Sequence, residues 1–420
     1  MSLTRHQKTS IILLQLGTFL EYFDLMLFLH MGIILNETFF PHTDKHTANL
    51  LSASAFCSIY ILRPFGALIF GYIGDSIGRQ KVIVLTTLLM AVSCIVMANL
   101  PTYAQIGIAA SWIVTLCRMM QGLLSMGEII GAQVYVTEIT QPPSQYFATS
   151  LITVASSLGS VASLGIAFLV INFNFNWRLA FWIGAFIALV GSIARLKLSE
   201  SPIYLLAKQK RTQSLLSRDS QILGEKTPKL TCLALFLIHC GWPLSFYLVF
   251  IYFNSLLTHS FGYTSQDVII HNFFLSIEFS LVLVMWSFLS YKMNPLKIIK
   301  IRAIANISFF LFLPWFINQC HSSLQLFLLQ SIIIFLSLAS TPAEAILIKA
   351  LPILKRFTLS GLTYAFSRTL MNIVTAFGLV YLTKWFNHWG ILLISFPISF
   401  FYLGGVRYFE KHTQHPILRT

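Results

Sequence analysis

The sequence predicts an all-α integral membrane protein of twelve transmembrane helices in two six-helix bundles. Three observations predict it. The chain is 56% hydrophobic and 10% charged, with a mean hydropathy of +0.75; a soluble domain is about 25% charged. Its apolar runs are long and do not alternate, as in ILLQLGTFLEYFDLMLFLHMGIIL near the start. Its basic residues sit in the short polar gaps between such runs. Lipid offers the backbone no hydrogen-bond partners, so only helices or closed barrels cross it. A barrel strand needs about 9–11 residues of period two and a spanning helix about 20 apolar ones. The runs match the helix.

The runs divide into spans at roughly 10–35, 50–72, 81–99, 106–137, 147–170, 179–196, 231–254, 267–290, 299–317, 325–348, 358–383 and 389–408. Six precede and six follow the most polar segment. The expected units are therefore 1–196, a linker 197–230 and 231–420. The first run follows Arg5 and Lys8 but is long enough to span and holds Glu21 and Asp24. It reads as a retained helix, not a cleavable leader.

Of the 28 Lys and Arg residues, Lys45, Arg178 and Lys384 fall on the side opposite the N-terminus, and Arg63, Arg118 and Arg368 lie inside spans. All others share the N-terminal side. The positive-inside rule then places both termini and the linker in the cytoplasm of a cell's inner membrane. The net charge of +14 is spread along these gaps and forms no clustered basic face, which argues against nucleic acid. The six cysteines, Cys57, Cys94, Cys117, Cys232, Cys240 and Cys320, lack CxxC or metal-ligand spacing and read as small buried thiols. No metal or other cofactor is expected. There is no GxxxxGK[ST] run, hence no ATPase of its own. Six plus six helices with an inside linker is the layout of a two-bundle secondary transporter. Its expected partners are a small-molecule substrate, protons and lipid, and its expected state is a monomer.

A charge at mid-bilayer costs on the order of 2.5–3.5 kcal/mol, so such residues face a polar cavity or pair. Glu21 and Asp24 share a face of the first span with Gly17 and Phe28. Arg118, Gln121, Ser125 and Glu128 form one stripe of the fourth. Arg63, Glu278 and Arg368 lie in the second, eighth and eleventh. The functional reading makes Asp24, with Glu21 and Glu128, the protonatable set. Arg63, Arg118, Gln121 and Arg368 are then the substrate contacts, since a cavity arginine can hold a carboxylate bidentately. The alternative is that Arg118–Glu128 or Arg63–Asp24 are static ion pairs. Arg368 has only neutral neighbours at helical spacing, Tyr364 and Asn372. Its expected protein partner is Glu278. His30 in the first span reads as a packed histidine or a proton relay; His239 and His271 read the same way.

The segment Gly71-Tyr-Ile-Gly-Asp-Ser-Ile-Gly-Arg-Gln-Lys81 closely resembles the hallmark loop of the major facilitator superfamily. Its glycines allow a tight turn, Asp75 can accept from the start of a neighbouring helix, and Arg79 can reach an acid on the inside surface. The resemblance implies that Gly71, Gly74, Asp75, Gly78 and Arg79, with Glu138, latch an inside-closed, outward-open state. Glu21-Tyr-Phe-Asp24, Arg63-Pro-Phe-Gly66, Arg118-Met-Met-Gln-Gly122, Gly127-Glu128, Trp177-Arg178, Glu200-Ser-Pro202 and Arg356-Phe-Thr-Leu-Ser-Gly361 resemble its metabolite:proton symporter branch. That branch carries proline and betaine, citrate, oxoglutarate and shikimate. The likeness implies proton-coupled uptake of a small organic acid, amino acid or betaine-like solute. An exporter of the same fold and a transporter-like receptor are the alternatives. Several positions depart from the pattern. Tyr291 stands where the half-repeat of the loop usually has Asp, Asn294 where it has Gly, Gln145 near an expected Arg, and Phe28 for a common Tyr. The latch on the half-repeat side is therefore expected to be weak or differently built.

Overall fold

The computed structural model describes residues 4–31, 35, 38–40, 45–173, 176–216 and 228–413. The side chains of His30 and Cys57 and the linker residues 217–227 lie outside that set. Every regular element among the described residues is a helix. The N-terminal half holds α1 (Arg5–His30), α2 (Lys45–Ser76), α3 (Arg79–Asn99), α4 (Ile108–Ile139), α5 (Ser144–Phe173) and α6 (Arg178–Arg195). Helix α7 (Pro202–Leu216) begins the linker. Beyond it come α8 (Lys229–Phe261), α9 (Ser265–Leu289), α10 (Pro295–Asn318) and α11 (Ser323–Phe335). The chain ends with α12 (Glu344–Lys349), α13 (Arg356–Ile373), α14 (Leu379–Phe386) and α15 (Gly390–Thr413).

Seven helical stretches among these are long and apolar enough to cross a membrane. The outer faces of these and the other helices carry large apolar side chains: Phe65, Tyr72, Trp112, Phe186, Phe312 and Trp385 are each more than half exposed. A soluble monomer does not tolerate apolar patches of that extent. Lipid tails are as apolar as leucine, so close packing must hold the helices together. Phe23, Leu27, Met97, Val114 and Phe181 centre one core of the N-terminal half. Leu244, Leu248, Phe253, Phe310 and Ile333 centre one of the C-terminal half. The halves meet where α2 packs on α13 and α5 on α9, and one core is shared, with Ala67, Phe70 and Leu124 against Phe357 and Ala365.

Helix bounds follow the expected spans except in three places. The tenth span is not continuous: α11 stops at Phe335 and α12 starts at Glu344. Pro342 has no N–H to give and disfavours helix at Thr341 before it. The freed carbonyls are taken by neighbours. Arg302 of α10 donates to the carbonyls of Ser337 and Thr341, Asn306 to that of Leu336, and the Tyr402 hydroxyl to that of Ala339. In the seventh span a turn at Cys240 and a π turn over Leu248–Tyr252 flank Pro243. The eleventh carries a π turn over Val374–Gly378. Single π turns inside helices commonly mark functional positions.

Besides Arg79 and Arg356, two arginines assigned to polar gaps are interior. Arg302 is 2% exposed and Arg195 0%. Each lies within a turn or two of a span end, where a long side chain can reach inward as readily as outward.

Candidate functional site

The expected latch residues cluster at one end of the molecule, between the halves. Asp75 accepts from the backbone N–H of Phe357 (3.2 Å) and Thr358 (2.9 Å) and from the Thr358 hydroxyl (2.7 Å). It therefore caps the start of α13, where the orphan N–H groups and helix dipole favour an anion. Arg79, wholly buried, donates to the Gly74 carbonyl (2.7 Å) and across to that of Ile353 (2.6 Å). Glu138 lies 3.4 Å from Arg79 and 3.2 Å from Arg356 of the other half. Gly71 and Gly74 are small because α13 is close: a side chain there would meet the Thr358 backbone or the Phe357 ring. Gly78 has φ +144°, open to glycine and to few other residues.

The departures from the expected pattern have local substitutes. Where an arginine was expected, Gln145 donates to the carbonyls of Thr137 (2.6 Å) and Thr140 (2.7 Å) and closes the end of α4. Asn294 caps α10, accepting from Leu296 N–H at 2.9 Å. Tyr291 meets the Phe147 ring of α5 at a tilt, 5.5 Å between centroids, beside Phe288 at 4.7 Å. On the half-repeat side the halves thus meet through aromatic rings.

Deeper in the N-terminal half the charges pair differently from the two pairs considered. Arg118 lies 3.6 Å from Asp24 and donates to Gln121 at 2.7 Å, its guanidinium 4.2 Å over the Phe28 ring. Arg63 lies 3.9 Å from Glu21. Neither oxygen of Glu21 has a hydrogen-bond partner. Glu128 pairs with Arg195 at 2.5 Å and accepts from the Thr86 hydroxyl (2.8 Å) and from Thr87. Arg195 also donates to the carbonyls of Leu13 (3.0 Å) and Leu14 (2.9 Å), so one buried knot joins α1, α3, α4 and α6. Partner choice across helices depends on which faces meet, and spacing along one helix does not give it.

Between the halves lies a cavity of about 380 Å³. Helices α1, α4 and α5 wall one side, including Tyr22, Gln133 and Ser157; α8, α9, α12 and α13 wall the other, with Ala339–Thr341 of the broken span. Of the expected substrate contacts Arg368 lines it, and Arg63, Arg118 and Gln121 do not. Glu21, Asp24 and Glu128 also stand back from it; Tyr22 is the α1 residue of that stretch on the wall. Arg368 is 8% exposed and lies 4.0 Å from the Trp242 ring and 4.7 Å from that of Tyr364. Its Nε and Nη1 have no hydrogen-bond partner. Glu278 is not its partner; that carboxylate accepts from Ser331 at 2.7 Å. Glu344 lines the same cavity, and the sequence reading passed over it. Its signal was present: an acid inside the tenth span, two residues after Pro342.

A family model described as Major Facilitator Superfamily matches residues 14–379. The proline/betaine transporter of Escherichia coli strain K12 is 29% identical over 60% of this chain and 53% of its own. A glycine betaine/proline/ectoine/pipecolic acid transporter, OusA of Dickeya dadantii, is 26% identical over 72% of this chain and 62% of its own. The chain spans about half the length of such relatives. Among solved structures, a D-xylose–proton symporter aligns at TM-score 0.63 and 14% identity, covering 96% of both chains. The human organic anion transporter MFSD10 aligns at 0.67 and 15%, covering 96% of this chain and 99% of its own. Likeness at that identity is likeness of fold.

Proposed function

The chain belongs to the Major Facilitator Superfamily, and from that premise we propose that it takes up a small zwitterionic or anionic metabolite by proton symport. In this reading twelve spans form two bundles, 1–196 and 231–420, joined by the 197–230 linker, with the linker and both termini in the cytoplasm. The bundles rock about the cavity between them. One observation carries the reading: a buried guanidinium with two unanswered N–H groups, Arg368, stands in the wall of a cavity that both halves build. A buried donor left without a partner costs about 1–3 kcal/mol, and a ligand carboxylate would answer it. Tyr22 on the cavity wall offers a ring face for a cationic group. The names of the proline and betaine relatives support amino acids and betaines as the class to test first.

The test is uptake by proteoliposomes under an imposed inward proton gradient, with L-proline, glycine betaine and a panel of organic acids. Accumulation that collapses with a protonophore is expected for at least one. Absence of driven uptake across the whole panel would count against symport. Asp24 carries or gates the proton in this reading, and Asp24→Asn should abolish accumulation against a gradient. Unchanged concentrative uptake by that variant would remove Asp24 from the coupling set.

We also assign the end bearing Asp75, Arg79, Glu138 and Arg356 to the cytoplasmic latch. Its contacts are made in this structure, consistent with an inside-closed state. Asp75→Asn keeps the shape but removes the anion from the α13 start, a contribution of about 0.3–1 kcal/mol. The variant should label faster at a cysteine placed in the inner vestibule. An unchanged labelling rate with intact transport would argue against the latch.

A further inference from the structure

The break in the tenth span brings an acid, Glu344, to the cavity wall, with His239 behind it and apart from the acids of α1. His239 ends the first helical stretch of α8, and Glu344 opens α12 directly after the break. Both are buried, at 3% and 4% exposure. His239 Nε2 lies 3.2 Å from Glu344 Oε1. One side of each group is unanswered: His239 Nδ1 and Glu344 Oε2 have no hydrogen-bond partner. Glu344 and Arg368 line the same cavity. No ion pair of 4 Å or less joins the two among the described residues.

From α13, Tyr364 meets the His239 ring edge-on at 5.5 Å. From α1, the Tyr22 hydroxyl lies 3.4 Å from that of Tyr364. Tyr402 of α15 holds the Ala339 carbonyl, Arg302 of α10 holds the break from behind, and Cys240 follows His239 in the chain. Glu21 precedes Tyr22 in α1.

We propose that His239 and Glu344 form a proton site of the cavity that competes with a substrate carboxylate for Arg368. This rests on the symport reading above and adds its second half. With Nε2–H donated to Glu344, the free Nδ1 lone pair receives the incoming proton and later releases it. Without that proton the couple carries one negative charge, which engages Arg368. With it the couple is neutral overall, and the guanidinium is left to a carboxylate ligand. Proton and anion then favour each other's binding, as reciprocal linkage requires. The couple titrates as a unit, so its protonation belongs to both residues.

The first arm of the test needs no substrate. Protein labelled with 15N-histidine is titrated in nanodiscs, and the resonance missing from His239→Gln identifies the ring. It is expected to gain a proton at Nδ1 as the pH is lowered. That protonation should respond to Glu344→Gln, which removes the facing charge. A ring that stays neutral throughout, or whose protonation is unchanged in Glu344→Gln, overturns the site. The second arm adds L-proline to weakly buffered protein and reads proton uptake with a dye. Wild type should take up protons on binding, and Glu344→Gln should bind without uptake. Proline binding to wild type without uptake overturns the coupling. Failure of proline to bind wild type counts against the amino-acid reading, and the titration alone then decides the proton site.

Discussion

Arg368→Gln is expected to weaken binding of a carboxylate-bearing ligand by roughly 10- to 150-fold, the loss of a charge-assisted contact of about 1.5–3 kcal/mol. The same substitution should barely change the melting of the empty protein. Two effects on stability oppose each other. The guanidinium stacks on Trp242 and Tyr364, and such contacts contribute about 0.5–2 kcal/mol. Against this, Nε and Nη1 are buried without partners, and each such donor costs about 1–3 kcal/mol. The terms are of similar size and opposite sign, so stability moves little while affinity falls. Isothermal titration and thermal unfolding on one preparation separate the two quantities. Wild-type affinity in the variant would end the ligand role. A large drop in unliganded stability would make Arg368 a structural cation acting through Glu344.

The helical fold was readable because lipid leaves so few backbone choices. Run length and the placement of charge were enough to find the helices to within a few residues. The loop from Gly71 to Arg79 was readable for a different reason: glycines at close approaches and an acid at a helix start are local requirements, and local requirements leave marks in the sequence. The buried pairs were not readable. Glu21, Asp24, Arg63, Arg118 and Glu128 were all recognised as interior charges, yet both guessed pairings were wrong, because the partner is chosen by how α1, α2, α4 and α6 face one another. Arg195 and Arg302 were missed since a basic residue near a span end looks the same whether it reaches for solvent or for a carbonyl in the protein. Gly17 shows the cost of that. It was read as part of a polar face, whereas its space is filled by the Arg195 guanidinium. The tenth span was read through its break because Ser337–Ala343 carries no charge to interrupt a run; Pro342 and the acid Glu344 were the contrary marks.

Glu128→Gln is expected to destabilise the protein by about 3–5 kcal/mol, the range for breaking a buried ion pair and stranding its partner. The stranded group is Arg195, 0% exposed and fixed by the carbonyls of Leu13 and Leu14. Those two bonds survive the substitution, which points to the lower part of the range. Gln can still accept from Thr86 and Thr87, so the lost quantity is charge, not shape. The sequence reading placed Glu128 among the protonatable residues, and the two roles predict different data. As a structural tie, Glu128→Gln lowers the melting temperature at every pH, and Arg195→Gln in the same chain recovers part of the loss, giving a coupling energy in a double-mutant cycle. As a proton carrier, Glu128→Gln melts close to wild type and loses the pH dependence of uptake. Its distance from the cavity wall and its saturation by Arg195, Thr86 and Thr87 favour the tie. An additive cycle together with pH-independent uptake would instead place Glu128 on the proton path.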